Sequence, residues 1–196
     1  MRAFHNDSAI KKKYLDRVTA HERADEIVQG CGYWESGKGC AVGCTLHGDN
    51  HAAYETELGI PLIIARLEDG IFEQLPNDLA KTWPRRFLEC IQPGADLSMV
   101  WPKFAVWMLT DEEYGVIKFA KSDAQRESIQ TISDMYLFKI EGAEIDAADR
   151  QEARSDYAAY ADYAADAAAR KTIRTAQSEK LIELLAEASS RKSLED

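Results

Sequence analysis

Apolar residues recur at helical spacing along most of the chain. Tyr14, Leu15, Val18, Ile27 and Val28 give an irregular apolar face, which predicts a helix over residues 8 to 29 with Ser8 as its N-cap. His51, Tyr54, Glu55 and Leu58 share one face of a helix that Gly59 closes and Pro61 follows. Ile60, Ile63, Ile64, Leu67 and Ile71 have core spacing and predict the next helix, up to about Gln74. Asn77 or Asp78 caps another, with Phe87, Leu88 and Ile91 inward and Pro84 interrupting or restarting it. Pro93-Gly94 is a turn. Leu97, Val100, Trp101, Phe104 and Met108 form a further stripe, kinked or begun anew near Pro102. Thr110 to Glu113 and Ser122 to Gln125 read as capping boxes. The second opens a helix carrying Ile129, Ile132, Tyr136 and Ile140 and ending at Gly142. No segment alternates as a strand should, and Val116 to Phe119 is the one place where a short strand is conceded.

Residues 146 to 190 read as one very long helix, or two joined near Thr172. Alanine is the strongest helix former, and residues 157 to 169 are rich in it. Leu181, Leu184, Leu185 and Ala188 then restore an ordinary apolar stripe. The expected fold is all-α: about seven to nine helices in an irregular or HEAT-like array, forming a single helical domain over 1–196. One ordered glycine-rich loop, from Gly30 to Asn50, should pack against the helices that carry Tyr54 and Glu68.

Composition narrows the function classes. The chain is 45% hydrophobic and 30% charged, which is globular rather than disordered. No apolar run reaches the length of a membrane span, and the start lacks the apolar centre of a secretory signal, so a cytoplasmic protein is expected. The net charge is −10, and the charges cancel through residue 50, so the excess is downstream. That balance disfavours direct contact with nucleic-acid phosphates and suits a basic protein partner or plain solubility. The four cysteines do not form the framework of a small secreted protein and are expected as thiols or metal ligands.

Most candidate chemistry sits in one stretch. Cys40-x3-Cys44-x2-His47-x3-His51 gathers four residues of the types that hold zinc, without the usual Cys-x2-Cys knuckle. The same cysteines and histidines could form a thiolate–imidazole pair, or could simply pack and hydrogen-bond. Gly32-x4-Gly37-Lys38 matches the glycines and lysine of a P-loop, but Gly39 stands where a hydroxyl should reach magnesium. A plainer anion site of loop amides and Lys38 is the alternative. Glu55, Glu68 and Asp69 are candidates for acid–base work or ligand contact, or are ordinary ion pairs. Trp34, Tyr157 and Tyr160 are candidate contacts for a protein partner.

The stretch from Gly37 to His47, the run His51 to Pro61, the segment Leu67 to Pro76 and the Trp83-Pro84-x-Arg86-Phe87 element resemble a group of uncharacterised bacterial and phage-borne proteins with an alanine-rich C-terminal helix. The resemblance covers roughly residues 20 to 110 and the character of 150 to 170. It transfers no catalytic residue. The alanine-rich part also resembles, more distantly, helical immunity proteins that neutralise a toxin. Together these imply a non-catalytic, acidic protein-binding module of the immunity or phage-accessory kind. The alternative is a small-ligand or metal-binding protein, enzyme or not, built on residues 30 to 51, with zinc as the implied metal. Oligomeric state stays open.

Overall fold

A computed structural model of the chain describes residues 1–31, 33–142 and 167–192. The fold is all-α, as its periodicity predicts. Among the described residues there are seven α-helices, two 3-10 turns, one π-turn and a two-stranded hairpin. No helix among them is long and apolar enough to cross a membrane. The chain divides into two compact units, one of Met1–Val100 with Ser178–Asp196 and one of Trp101–Gln177.

The first unit opens with a turn, Ala3–Asn6, tied down through its backbone. The Ala3 amide donates to the Ala95 carbonyl, and Gly94 donates back to Ala3. Helix α1 follows at Ser8–Arg23, capped by the Asp7 carboxylate, which accepts from the Ala9 amide at 2.7 Å, rather than by Ser8. It stops well short of residue 29. Asp25 takes a left-handed φ of 55°, and the chain leaves the helix there. Ile27 and Val28, counted on a helical face in the sequence, instead pair with the backbone of Gly39. Strands β1 (Trp34–Glu35) and β2 (Lys38–Gly39) form an antiparallel hairpin in the register Trp34↔Gly39. Its two turn residues, Ser36 and Gly37, both have positive φ, the geometry that matches strand twist in tight hairpins.

Residues 30–50 are therefore not one loop. After the hairpin comes a short helix, α2 (Ala41–Leu46), capped at its start by the Cys40 sulfur and at its end by His47 in a left-handed conformation. The expected helix over 51–58 is a turn followed by a π-turn, Tyr54–Leu58, closed by Gly59. Helix α3 (Leu62–Phe72) and helix α4 (Asn77–Cys90) lie where the apolar spacing puts them. Pro61 and Pro76, not Asn77 or Asp78, hold the cap positions. Helix α4 runs on through Pro84, whose missing N–H removes the usual donor to the Ala80 carbonyl. Pro93-Gly94 turns as expected.

The core of this unit is built on Trp83, Phe87, Phe72, Tyr14, Ile64 and Phe4, all essentially fully buried. The last helix, α7 (Ala167–Lys192), is continuous through Thr172, and its residues from Ser178 belong to the first unit. There Leu181, Leu184 and Leu185 are buried, the Arg86 guanidinium meets the Glu179 carboxylate at 2.8 Å, and the Ser189 hydroxyl accepts from the Gln92 amide.

The second unit holds helix α5 (Val100–Thr110), with Pro102 in its first turn, and helix α6 (Asp123–Ile140). Thr110 to Glu113 does not open a helix. Asp111 accepts from the Glu113 and Tyr114 amides in a side-chain turn beyond the end of α5. Val116–Phe119 is a 3-10 turn rather than a strand. Ser122 does cap α6, accepting from the Gln125 amide, and the helix ends before Gly142, which has φ 96°. Leu109, Ile129 and Ile132 form the core here.

Candidate functional site

Four pieces of the first unit converge: the segment Gly30 to Cys40, the start of α2, the turn at His51 to Tyr54, and the C-terminal half of α3. Helix α3 is apolar on its inner face except for Glu68, which is fully buried. The Tyr54 hydroxyl donates to Glu68 Oε2 at 2.6 Å, and the other oxygen, Oε1, is buried with no hydrogen-bond partner. Burial pushes the Glu68 carboxyl up to about 8, against the opposing pull of the Tyr54 hydrogen bond. Tyr54 is itself pushed well above the ordinary phenol value by burial and then by the Glu68 charge.

One residue on, Asp69 turns to the rim. His51 Nε2 lies 3.1 Å from Asp69 Oδ2, while Asp69 Oδ1 is buried without a hydrogen-bond partner. One ligand atom from each of Cys40, Asp69 and Glu73 falls within 4.8 Å of the others. Asp69 and Glu73 reach this point because they are four residues apart on one helix face. Glu73 also accepts from the Gly30 amide at 2.8 Å, which ties the glycine segment to α3. Burial pushes the Cys40 thiol up to about 12. Tyr33 closes the rim: its ring meets His51 edge-on at 5.3 Å. Burial first, then the charges of Asp69 and Cys40, raise its hydroxyl above the ordinary value.

No protein family, curated protein or solved structure matches this chain.

The four residues Cys40, Cys44, His47 and His51 are not brought together. Cys40 and His51 join the Asp69 cluster, but Cys44 is buried within α2 with its thiol on the Gly39 carbonyl at 3.3 Å. His47 caps the far end of α2, where Trp34 stacks on it at 4.2 Å. Burial also pushes Cys44 up to about 12, so both thiols are protonated at neutral pH and no thiolate–imidazole pair is set up. Glu55 caps α3, accepting from the Leu62 amide at 2.9 Å. Lys38 is exposed on β2, in the field of Asp25. Tyr157 and Tyr160 lie outside the described residues. Glu73, Tyr33 and His21 were not singled out from the sequence. The spacing of Asp69 and Glu73 carried a signal for the first; nothing local marked the other two.

Proposed function

We propose that the protein binds a transition-metal ion of the zinc class through Cys40, Asp69 and Glu73, with His51 holding Asp69 in place. The observation that carries this is Asp69 Oδ1, a buried carboxylate oxygen that no N–H or O–H group satisfies, on a carboxylate whose one close thiol is Cys40 and beside a second carboxylate, Glu73. A buried, unsatisfied carboxylate oxygen is costly, and a cation relieves it. Sulfur with carboxylate oxygen is a donor set zinc accepts, and three protein ligands leave a fourth position for water or a small ligand. Tetrahedral coordination would draw the ligand atoms to about 3.5 Å of one another, a contraction of about 1 Å that the Glu73 side chain can absorb. The metal would also displace the thiol proton, since thiolate is the ligand form.

Cobalt(II) titrated into the reduced, full-length chain should give one equivalent of binding with a sulfur-to-cobalt charge-transfer band. Cys40→Ser should remove the band, and Asp69→Asn should weaken binding by about tenfold or more. Cys44→Ser and His47→Gln should keep the band. A chain that shows no band, or a Cys40→Ser variant that retains it, refutes the reading.

A second reading, the acidic protein-binding module of immunity or phage-accessory type, is favoured by a separate observation. In the second unit Phe119, Leu137 and Phe138 are exposed, Phe138 at 57%. Exposed aromatics of this kind anchor protein interfaces. Affinity capture from the native host with the intact chain should recover a specific protein that Phe138→Ser loses and Cys40→Ser keeps. Identical capture by the wild type and Phe138→Ser counts against it.

A further inference from the structure

His21 and His47 meet head-on. Their Nε2 atoms are 2.9 Å apart and their ring centroids 5.1 Å apart. Two imidazoles converging on one metal at a right angle would bring the centroids to about 4.5 Å at that nitrogen separation. A collinear N–H···N pair puts them at roughly 5.2 Å. The observed geometry is that of a hydrogen bond, with one proton held between two nitrogens. His21 Nδ1 lies 2.7 Å from Glu26 Oε2, which fixes that ring. Trp34 of β1 stacks on His47 and meets His21 edge-on at 5.1 Å. The pair and the indole thus clasp the hairpin to α1 and α2. The residue before it, Tyr33, stands over His51 at the rim of the proposed metal cluster.

We propose that the His21–His47 pair is a proton-operated latch: closed, it holds the Trp34 hairpin, and with it Tyr33, over the Cys40–Asp69–Glu73 site. Its control of a metal rests on the metal-binding reading; its action on the hairpin does not. The charged and titratable groups facing the pair are Arg17 from α1, Glu26 from the loop after it, and the two histidines. The neutral pair is bonded, with His47 as donor and His21 as acceptor. With one proton added, the two Nε2 atoms still share a single hydrogen between them, so the bond survives. A second proton sets two N–H groups against each other, and the hydrogen bond becomes a like-charge contact. His47 resists that proton: burial, then Arg17 and His21, lower its value from 6.5. Because the folded value is depressed, the latch is fully held above the ordinary imidazole range. It is lost as pH falls from there through the lowered value.

The test uses the intact chain and the variants His47→Gln and His47→Lys. Glutamine can bond His21 in either protonation state and keeps the latch shut, while lysine puts a permanent charge against it. In metal-free protein, exchange of the Val28 and Gly39 amides, which hold the hairpin edge, is measured relative to intrinsic rates. Their protection should fall about tenfold or more in the wild type between about pH 7 and about pH 5. It should stay level in His47→Gln and be low throughout in His47→Lys. Cobalt release should quicken with acid more steeply in the wild type than in His47→Gln, which removes the shared effect of thiol protonation. Level protection in the wild type, or a His47→Gln profile that parallels it, overturns the latch. If the amides respond but cobalt never binds, the metal reading and the control of a metal are both overturned, and the hairpin latch stands.

Discussion

Gly43→Ala should unseat the hairpin, cost about 3 kcal/mol or more of stability, and abolish cobalt binding. A methyl group at Gly43 would lie 1.3 Å from the Tyr33 carbonyl oxygen and 2.4 Å from its carbonyl carbon. Both are backbone atoms, so no rotamer change relieves the overlap. Gly43 cannot withdraw either, because it is buried within α2 and its carbonyl accepts from the His47 amide at 2.8 Å. The hairpin must therefore lift, and Tyr33, Trp34 and the Gly39 pairing with Glu26 and Val28 go with it. Gly70→Ala is the control. That glycine lies on α3 with nothing within 4 Å of an added methyl, and helix propensity should make the change stabilising by about 0.5–1 kcal/mol. Urea melts of both variants, with the cobalt band as the second readout, decide the matter. A Gly43→Ala protein that melts like the wild type would show that the hairpin does not lie on α2 as described.

That close approach also explains what the sequence could and could not reveal. Helices α3, α4 and α6 were legible because each spans several turns, and an apolar stripe such as Ile64, Leu67 and Ile71 repeats often enough to establish a period. A hairpin of two-residue strands has no period to read. Ile27 and Val28 follow α1 by only a few residues, and the left-handed Asp25 among them turns the chain out of the helix. The site was harder still. Cys40, Cys44, His47 and His51 are neighbours in the chain, but Cys40 and His47 cap opposite ends of α2, about 10 Å apart along its axis. The partners Cys40 finds, Asp69 and Glu73, come from α3, and only tertiary packing brings them close. Glu68 and Asp69 were visible as acids on an otherwise apolar helix. That one of them is fully buried was not, since nothing in the local sequence says that Tyr54 donates to it.

In metal-free protein, that buried acid should make the wild type lose stability as the solution turns alkaline, and Glu68→Gln should remove the loss. The folded Glu68 holds its proton up to about 8, whereas the unfolded chain gives it up near 4.5. Its contribution is thus fully present below the unfolded value and is lost as pH rises through the folded one. Each pKa unit is worth about 1.4 kcal/mol, so the wild type should weaken by on the order of 3 kcal/mol between about pH 6 and about pH 9 relative to Glu68→Gln. Below the unfolded value of 4.5 the difference between the two should level off, because Glu68 is then protonated both folded and unfolded; carboxyl and amide both accept the Tyr54 hydroxyl, the first leaving one O–H and the second two N–H groups unpaired. Tyr54→Phe should act in the opposite direction to any relief of the charge. The hydroxyl is the group that eases ionisation of Glu68, so its loss moves the midpoint upward and costs about 1 kcal/mol at pH 6. Denaturant unfolding with a chelator present, at several pH values, measures all three proteins. If the wild type and Glu68→Gln keep a constant difference across the range, Glu68 is ionised in the folded chain at neutral pH. A compensating positive charge would then have to reach Oε1.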